Sequence, residues 1–111
     1  MSFTVIDNAN MVAKAGFTNA QFKKLDGLYL RAVADKILCD RSVECDFDEG
    51  VVSYTYYRTS GGAAYLRFVI RKVGPRTMMY EVFRDKRGRI KKSGVFDIAF
   101  ARLQEEIEGL G

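Results

Sequence analysis

The 111 residues include no histidine, no tryptophan, one proline and two cysteines. Without histidine, the usual general base near neutral pH is missing, as are Ser-His and Cys-His nucleophile pairs and most zinc-enzyme sites. Cys39 and Cys45 do not have a common zinc or redox spacing, so we interpret them as buried free thiols. These absences predict a protein that is not an enzyme and that holds neither a metal nor a cofactor, and they leave open only an enzyme that uses carboxylate or lysine side chains.

Long apolar runs are also missing. No segment approaches the roughly 18 apolar residues that a membrane span needs. The first eight residues have neither the basic nor the long apolar segment of a signal peptide. We therefore expect a cytoplasmic protein with no membrane contact. A composition that is 48% hydrophobic and 29% charged is typical of a globular chain, and the length suits a single domain over residues 1–111.

Positive charge is concentrated in the second half of the chain. The net charge is +4. Residues 1–50 carry six basic and eight acidic side chains, whereas residues 51–111 carry twelve and six. Residues 58–92 alone hold eleven basic and two acidic side chains. Such asymmetry indicates a polyanionic or acidic partner.

Two N-terminal segments have helix signals. A cap-and-glycine pattern predicts a short helix over residues 8–15. Thr18 and Gln21 form a capping box ahead of a longer amphipathic segment, which predicts a helix over residues 19–38. Its apolar stripe is Phe22, Leu25, Tyr29, Ala32, Val33 and Ile37.

After this segment the hydrophobic period changes from about 3.6 residues to 2, which indicates strands. Turn signals separate them at about ten-residue intervals, as in an antiparallel meander. A last amphipathic segment, with Asp97 as N-cap and Gly109 at its end, predicts a helix. We therefore predict an α+β fold with N-terminal helices, a four- to five-stranded antiparallel meander and a C-terminal helix packed on one sheet face. The predicted strands cover residues 42–47, 51–59, 63–73, 77–84 and 89–92.

The third predicted strand divides its side chains between two faces. One set is apolar and is expected under the helices, and the other carries arginines and is expected to face away from them. The apolar set is Leu66, Phe68 and Ile70, and the other set is Tyr65, Arg67, Val69 and Arg71.

Basic groups interleaved with aromatic rings suit single-stranded DNA or RNA, because arginine and lysine pair with phosphates and rings stack on bases. In this hypothesis Arg67 and Arg71 bind phosphates. Tyr57 and Tyr65 stack on bases, and the following hairpin forms a flanking clamp. The clamp residues are Arg84, Arg87, Arg89, Lys91 and Lys92.

Two other interpretations of this face stay open. It is a solvated face whose long arginine stems cover apolar surface, or it contacts an acidic protein partner. The second alternative fits a phage or mobile-element inhibitor of the anti-CRISPR kind, docking on an acidic or nucleic-acid-binding surface of a host complex.

Acidic residues between Asp40 and Glu49 match no metal-binding loop and favour a solvated hairpin. Contact of that hairpin with the basic hairpin of a second copy would make a homodimer.

From about residue 51 the predicted order is four strands and then a helix. The segment YEVFRDKRGRIKKSGV, residues 80–95, followed by the amphipathic helix, resembles the end of a PUR-type or transcriptional-coactivator p15-type repeat. These families share a ββββα unit that binds single-stranded nucleic acid on its sheet, usually as a dimer. The resemblance covers a little over half of the chain and implies the same fold, ligand and dimeric state here.

Overall fold

The computed structural model describes Thr4–Val5, residues 18–46 and residues 48–109. It confirms the α+β class, the antiparallel meander and the C-terminal helix. One helix is described ahead of the meander, and the helix predicted over residues 8–15 lies outside the described residues, as does Phe47. The elements are β1 (Thr4–Val5), α1 (Asn19–Ala34), β2 (Asp40–Asp46), β3 (Val51–Tyr57), β4 (Ala64–Lys72), β5 (Met78–Arg84), β6 (Gly88–Ser93) and α2 (Phe96–Glu108).

Helix α1 begins where the capping box predicts. The Thr18 hydroxyl accepts the backbone N–H of Gln21, and the Gln21 side chain accepts the backbone N–H of Thr18. The helix ends four residues before the predicted end, because Lys36 takes a left-handed conformation with φ of 60°. The N–H of Ile37 then bonds back to the carbonyl of Ala32, which closes the last turn.

The strands form one sheet in the order β1-β2-β3-β4-β5-β6, and every neighbouring pair is antiparallel. The register is interrupted by irregularities between Tyr56 and Tyr57 on β3 and between Val82 and Phe83 on β5. A β-bulge changes the sheet face toward which the side chain of the extra residue projects. Both interruptions therefore matter for the placement of side chains on β4 and β6.

Both helices pack on the same face of the sheet. The predicted apolar set of β4, Leu66, Phe68 and Ile70, is buried there. From α1, the residues Leu25, Leu28 and Ala32 are buried, whereas Val33 of the predicted stripe is 37% exposed. The remaining core comes mainly from the middle of β3 and from α2: Val52, Tyr54, Tyr56, Phe96, Ala99, Leu103 and Ile107.

Helix α2 starts without the predicted side-chain cap. Val95 is the N-cap, and no side chain bonds to the first turn. Asp97 lies two residues after Val95, in the first turn, where its carboxylate still suits the positive end of the helix and accepts a hydrogen bond from Lys24 at 3.1 Å. This bond ties the flank of α2 that carries Asp97 to α1. Gly109 ends the helix as predicted.

Candidate nucleic-acid and partner interface

No described helix covers the second face of the sheet, which we call the open face. The strand register places Arg67 between Thr55 on β3 and Phe83 on β5. It places Val69 between Ser53 and Glu81. Arg67 and Arg71 are exposed, so the two predicted phosphate-binding arginines share a face and are both accessible.

The centre of the open face is more buried than the alternation of β4 predicts. Thr55, Val69 and Glu81 are between 3% and 4% exposed. Val69 has the longer side chains of Arg67 and Arg71 as same-face neighbours on its own strand, and these side chains limit the access of water. A ligand on this face therefore meets charge at the periphery, with little accessible surface at the centre.

Glu81 organises the charge on this face. Its carboxylate accepts a hydrogen bond from Arg71 at 3.0 Å and another from Arg89 at 2.9 Å. Burial acts to raise the pKa of Glu81. The hydrogen bonds and charges of Arg89 and Arg71 outweigh burial, and together they hold the pKa below its ordinary value. Two predicted ligand-binding arginines are thus already held by one internal carboxylate, and the three groups together retain a single positive charge.

Arg84 lies on the other face of the sheet. It pairs in register with Leu66, whose side chain is in the core. Its guanidinium donates to Glu106 of α2 at 3.0 Å, and Arg102 approaches the same carboxylate at 3.8 Å. Arg84 therefore joins the sheet to α2 and is separated from the other predicted clamp residues.

Tyr65 is moved off the open face by the irregularity in β4. Tyr56 pairs with Leu66 and Tyr57 pairs with Ala64, so Tyr65 is the extra residue. Its ring packs against the core, and the guanidinium groups of Arg58 and Arg84 lie 5.4 Å and 5.5 Å from the ring centroid. These cations occupy the ring surface on which a base would stack.

Tyr57 is half-buried near the opposite edge of the sheet. It pairs in register with Asp40, and its hydroxyl is 3.1 Å from the hydroxyl of Ser42. The two tyrosines predicted to stack on bases therefore do not form a shared platform. The structure places one beside the acidic strand β2 and the other against the core.

The β5–β6 hairpin carries the remaining predicted cations, but the register directs Lys91, which pairs with buried Val82, to the helix-covered face, whereas Arg89 and Lys92 project on the open face. We call its basic residues the basic rim. Lys86 and Gly88 take positive φ angles of 67° and 76°, which close the turn. All of the rim side chains are exposed except Lys91, which is half-buried. Only Arg89 of this set forms an ion pair with another described residue. The basic rim consists of Lys86, Arg87, Arg89, Lys91 and Lys92.

The opposite edge of the open face is acidic. The register places Asp40, Glu44 and Asp46 of β2 on the face that carries Arg67 and Arg71. Asp46 is buried, and one of its oxygens accepts the backbone N–H groups of residues 48 and 49 at 3.1 Å each. The open face is thus divided, with negative charge along β2 and positive charge along β4 to β6.

The sequence does not reveal two features of this arrangement. One is the role of Glu81, whose only signal is that it is one of two acids among eleven bases in residues 58–92. The other is a network under α1, in which the Tyr54 hydroxyl donates to Asp26 and Arg41 lies 3.3 Å from the same carboxylate. The cysteines are both free thiols, but Cys39 is exposed and only Cys45 is buried.

Compared with protein-family models, with curated proteins and with solved structures, the chain matches none of them. The resemblance to PUR-type and p15-type repeats therefore stays a prediction. Among the described helices, none is long and apolar enough to cross a membrane. Within residues 18–46 and 48–109, no three acidic or cysteine side chains converge as metal ligands would.

Proposed function

We propose that this protein is a non-catalytic, cytoplasmic binding protein whose basic rim contacts the phosphates of single-stranded DNA or RNA. The observation that carries the proposal is the clustering of Lys86, Arg87, Lys91 and Lys92 on one hairpin, with no ion pair to another described residue. Cations that are not neutralised internally keep their full attraction for a polyanion. Arg89 and Arg71 add to the positive electrostatic potential of the rim, but the negative charge of Glu81 reduces their contribution.

The rest of the molecule sets the direction in which a strand of nucleic acid runs. The acidic row on β2 repels phosphates, so the favourable path follows β5, β6 and the hairpin turn. A groove of about 310 Å³ beside this turn is lined by Arg67, Phe83 and Arg84, among others. Arg84 is already paired with Glu106, and the lining also includes the acidic Asp85, so Arg67 is the cation of this groove that has no ion pair with another described residue.

Charge carries this contact, and stacking adds little to it. Tyr57 is hydrogen-bonded beside the acidic strand, and Tyr65 is flanked by two arginines. Base stacking is worth about 1 to 3 kcal/mol per base where it occurs. Without that contribution, affinity should depend weakly on base sequence and strongly on salt.

Fluorescence anisotropy with labelled DNA and RNA strands at about 50 mM salt tests the proposal. The rim variant is Lys86→Gln with Arg87→Gln. The control is Lys23→Gln with Lys36→Gln, which also removes two exposed positive charges, one of them at a positive φ. We expect the rim variant to bind roughly tenfold more weakly than the wild type and the control to bind like it. Equal loss in both variants, or no binding by the wild type, would contradict the proposal.

A protein-interaction module is the second candidate, including an inhibitor that docks on a host complex. The observation that favours it is the exposure of Val95 and Ile98, 52% and 48%, at the start of the helix that follows β6, an edge strand among the described ones. Exposed apolar side chains suit a protein ligand better than a phosphate backbone. A homodimer formed between the acidic strand of one copy and the basic rim of another belongs to the same class. Retention of one stoichiometric protein from nuclease-treated lysate would favour this candidate over nucleic acid.

A further inference from the structure

The open face of the sheet carries a cavity of about 260 Å³ where the acidic strand β2 meets the arginines of β4. Its apolar wall consists of Val51 on β3, Val69 on β4 and Phe83 on β5. Charged and polar side chains complete the lining, and these belong to Asp46, Glu49, Ser53, Arg67 and Arg71. An apolar wall with a few charged groups is typical of a small-molecule site.

The acidic end of the cavity contains a carboxylate that is only partly hydrogen-bonded. Asp46 is 1% exposed. Its Oδ1 accepts the backbone N–H groups of residues 48 and 49, but its Oδ2 has no hydrogen-bond partner among the described residues. Leaving a buried carboxylate oxygen without a donor costs free energy. This end therefore favours a ligand that brings a positively charged N–H donor.

Glu49 strengthens this preference for a cation. Its side chain is exposed at the same end of the cavity lining. Neither Glu49 nor Asp46 forms an ion pair with another described residue. Two negative charges thus line the cavity without an internal partner, and a ligand ammonium group would be attracted to both.

The other end of the cavity is positive. Arg67 is exposed and forms no ion pair with another described residue, whereas Arg71 is held by Glu81. The register places Arg67 on the second strand from Asp46 and four residues along β4 from Arg71, which lies level with Asp46. The free cation and the buried carboxylate are therefore at opposite corners and do not neutralise each other. Arg67 is available to an anionic group of the ligand.

The volume between these charges limits the ligand to a small molecule. Since a water molecule occupies about 30 Å³ in the liquid, the 260 Å³ of the cavity suits about nine non-hydrogen atoms. We propose that the cavity binds a small zwitterion whose ammonium and carboxylate groups are joined by a short carbon chain. The ammonium group contacts Asp46 and Glu49, and the carboxylate contacts Arg67. This inference goes beyond the nucleic-acid proposal, because nucleic acid has no ammonium group for the acidic end.

Titration with 6-aminohexanoate, which has the expected size, tests the inference. Hexylamine and hexanoate are the matched probes, because each keeps the carbon chain and one of the two charges. Proton–nitrogen correlation NMR spectra at constant ionic strength measure the affinity and locate the site. The test variants are Arg67→Gln and Asp46→Asn, which keeps an oxygen for the turn. The controls are Arg76→Gln and Glu105→Gln, since both residues are exposed and lie outside the cavity lining.

We expect 6-aminohexanoate to shift amide signals around the cavity with a dissociation constant of about 1 mM. Hexylamine and hexanoate should each bind about tenfold more weakly, as should 6-aminohexanoate to either test variant, whereas both controls should bind like the wild type. If Asp46→Asn does not fold, Arg67→Gln decides alone.

Three results would overturn the inference. They are no shift at about 20 mM 6-aminohexanoate, equal affinity for either singly charged probe, and wild-type affinity in Arg67→Gln. None of them depends on whether the protein binds DNA or RNA.

Discussion

Replacing Glu81 by glutamine should lower stability and strengthen nucleic-acid binding in the same variant. The wild-type carboxylate is 4% exposed and holds Arg71 and Arg89 at 3.0 Å and 2.9 Å. Glutamine keeps one acceptor oxygen but presents an NH₂ group to the second arginine. This group cannot accept a hydrogen bond, so at least one charge-assisted hydrogen bond is lost. Such bonds contribute about 1.5 to 3 kcal/mol when they are buried.

The expected loss of stability is about 2 kcal/mol, because both arginine side chains are nearly half exposed and water can replace part of the lost interaction. For a domain of this size the melting temperature should fall by roughly 8 °C. Urea unfolding followed by circular dichroism measures the change. Glu105→Gln is the matched control, since Glu105 is exposed on α2 and should change stability by less than about 0.5 kcal/mol.

Acid should remove the difference between wild type and Glu81→Gln. Burial opposes ionisation of Glu81, but its two arginine partners hold its pKa below the ordinary value of 4.5. The folded protein therefore binds this proton less tightly than the unfolded chain does. The carboxylate stabilises the fold above about pH 4.5, and its contribution disappears as the pH falls through the lower pKa of the folded state.

Glu81→Gln should lower stability, but in the binding assay it should raise affinity for nucleic acid. Arg71 and Arg89 lose the negative charge of their internal partner, and the net charge beside the basic rim rises by one. Affinity for a DNA or RNA strand at low salt should increase by a few fold. This role of Glu81 would be contradicted by a Glu81→Gln protein as stable as Glu105→Gln, by a stability difference that acid leaves unchanged, or by weaker nucleic-acid binding from a folded variant.

Three further predictions concern the scaffold. Thr18→Ala should reduce the free energy of unfolding by about 1 kcal/mol by removing the N-cap of α1, measured by urea unfolding; no loss would show that the cap is irrelevant. Phe68→Ala should cost about 4 kcal/mol, because Phe68 is fully buried, and a loss below about 1 kcal/mol in the same assay would contradict its place in the core. Burial raises the pKa of Tyr54 and Tyr56 above the ordinary 10.0, so the stability that they supply should be lost as the pH rises above about 10. Tyrosinate absorbance should then show these two ionising only with alkaline unfolding, and ionisation of all six tyrosines before any change in circular dichroism would refute this.

The sequence predicts the elements of this fold well wherever local chemistry decides them. Thr18 and Gln21 locate the start of α1, and a period of two with the turn signals between segments locates β2 to β6, whereas the two-residue β1 is not predicted as a strand. The end of α1 is not predictable in the same way, because the left-handed residue is Lys36 rather than a glycine. The start of α2 is misassigned for a related reason, since Val95 occupies the N-cap position with no capping side chain.

The candidate site is less predictable, because it depends on how strands pair. Alternation places Tyr65 beside Arg67, but one irregularity in the pairing of β3 with β4 turns its ring toward the core. The pairing of β4, β5 and β6 brings Arg71 and Arg89 to Glu81. Glu81 lies ten residues from Arg71 and eight from Arg89, on a different strand from each, so the strand register rather than a local pattern identifies them as partners. The hairpin cations are close in sequence, so their common hairpin is predictable from local signals, but the strand register is needed to show that Lys91 lies on the face opposite to Arg89 and Lys92.

The salt dependence of binding is the most direct test of the basic rim as a phosphate-binding surface. If Lys86, Arg87, Lys91 and Lys92 each neutralise one phosphate, log affinity for a single strand should fall against log salt with a slope of about −3. In the Lys86→Gln, Arg87→Gln variant the slope should shrink to about half of that, and in the Lys23→Gln, Lys36→Gln control it should not change. A wild-type slope near zero, or the same slope in all three proteins, would contradict the account.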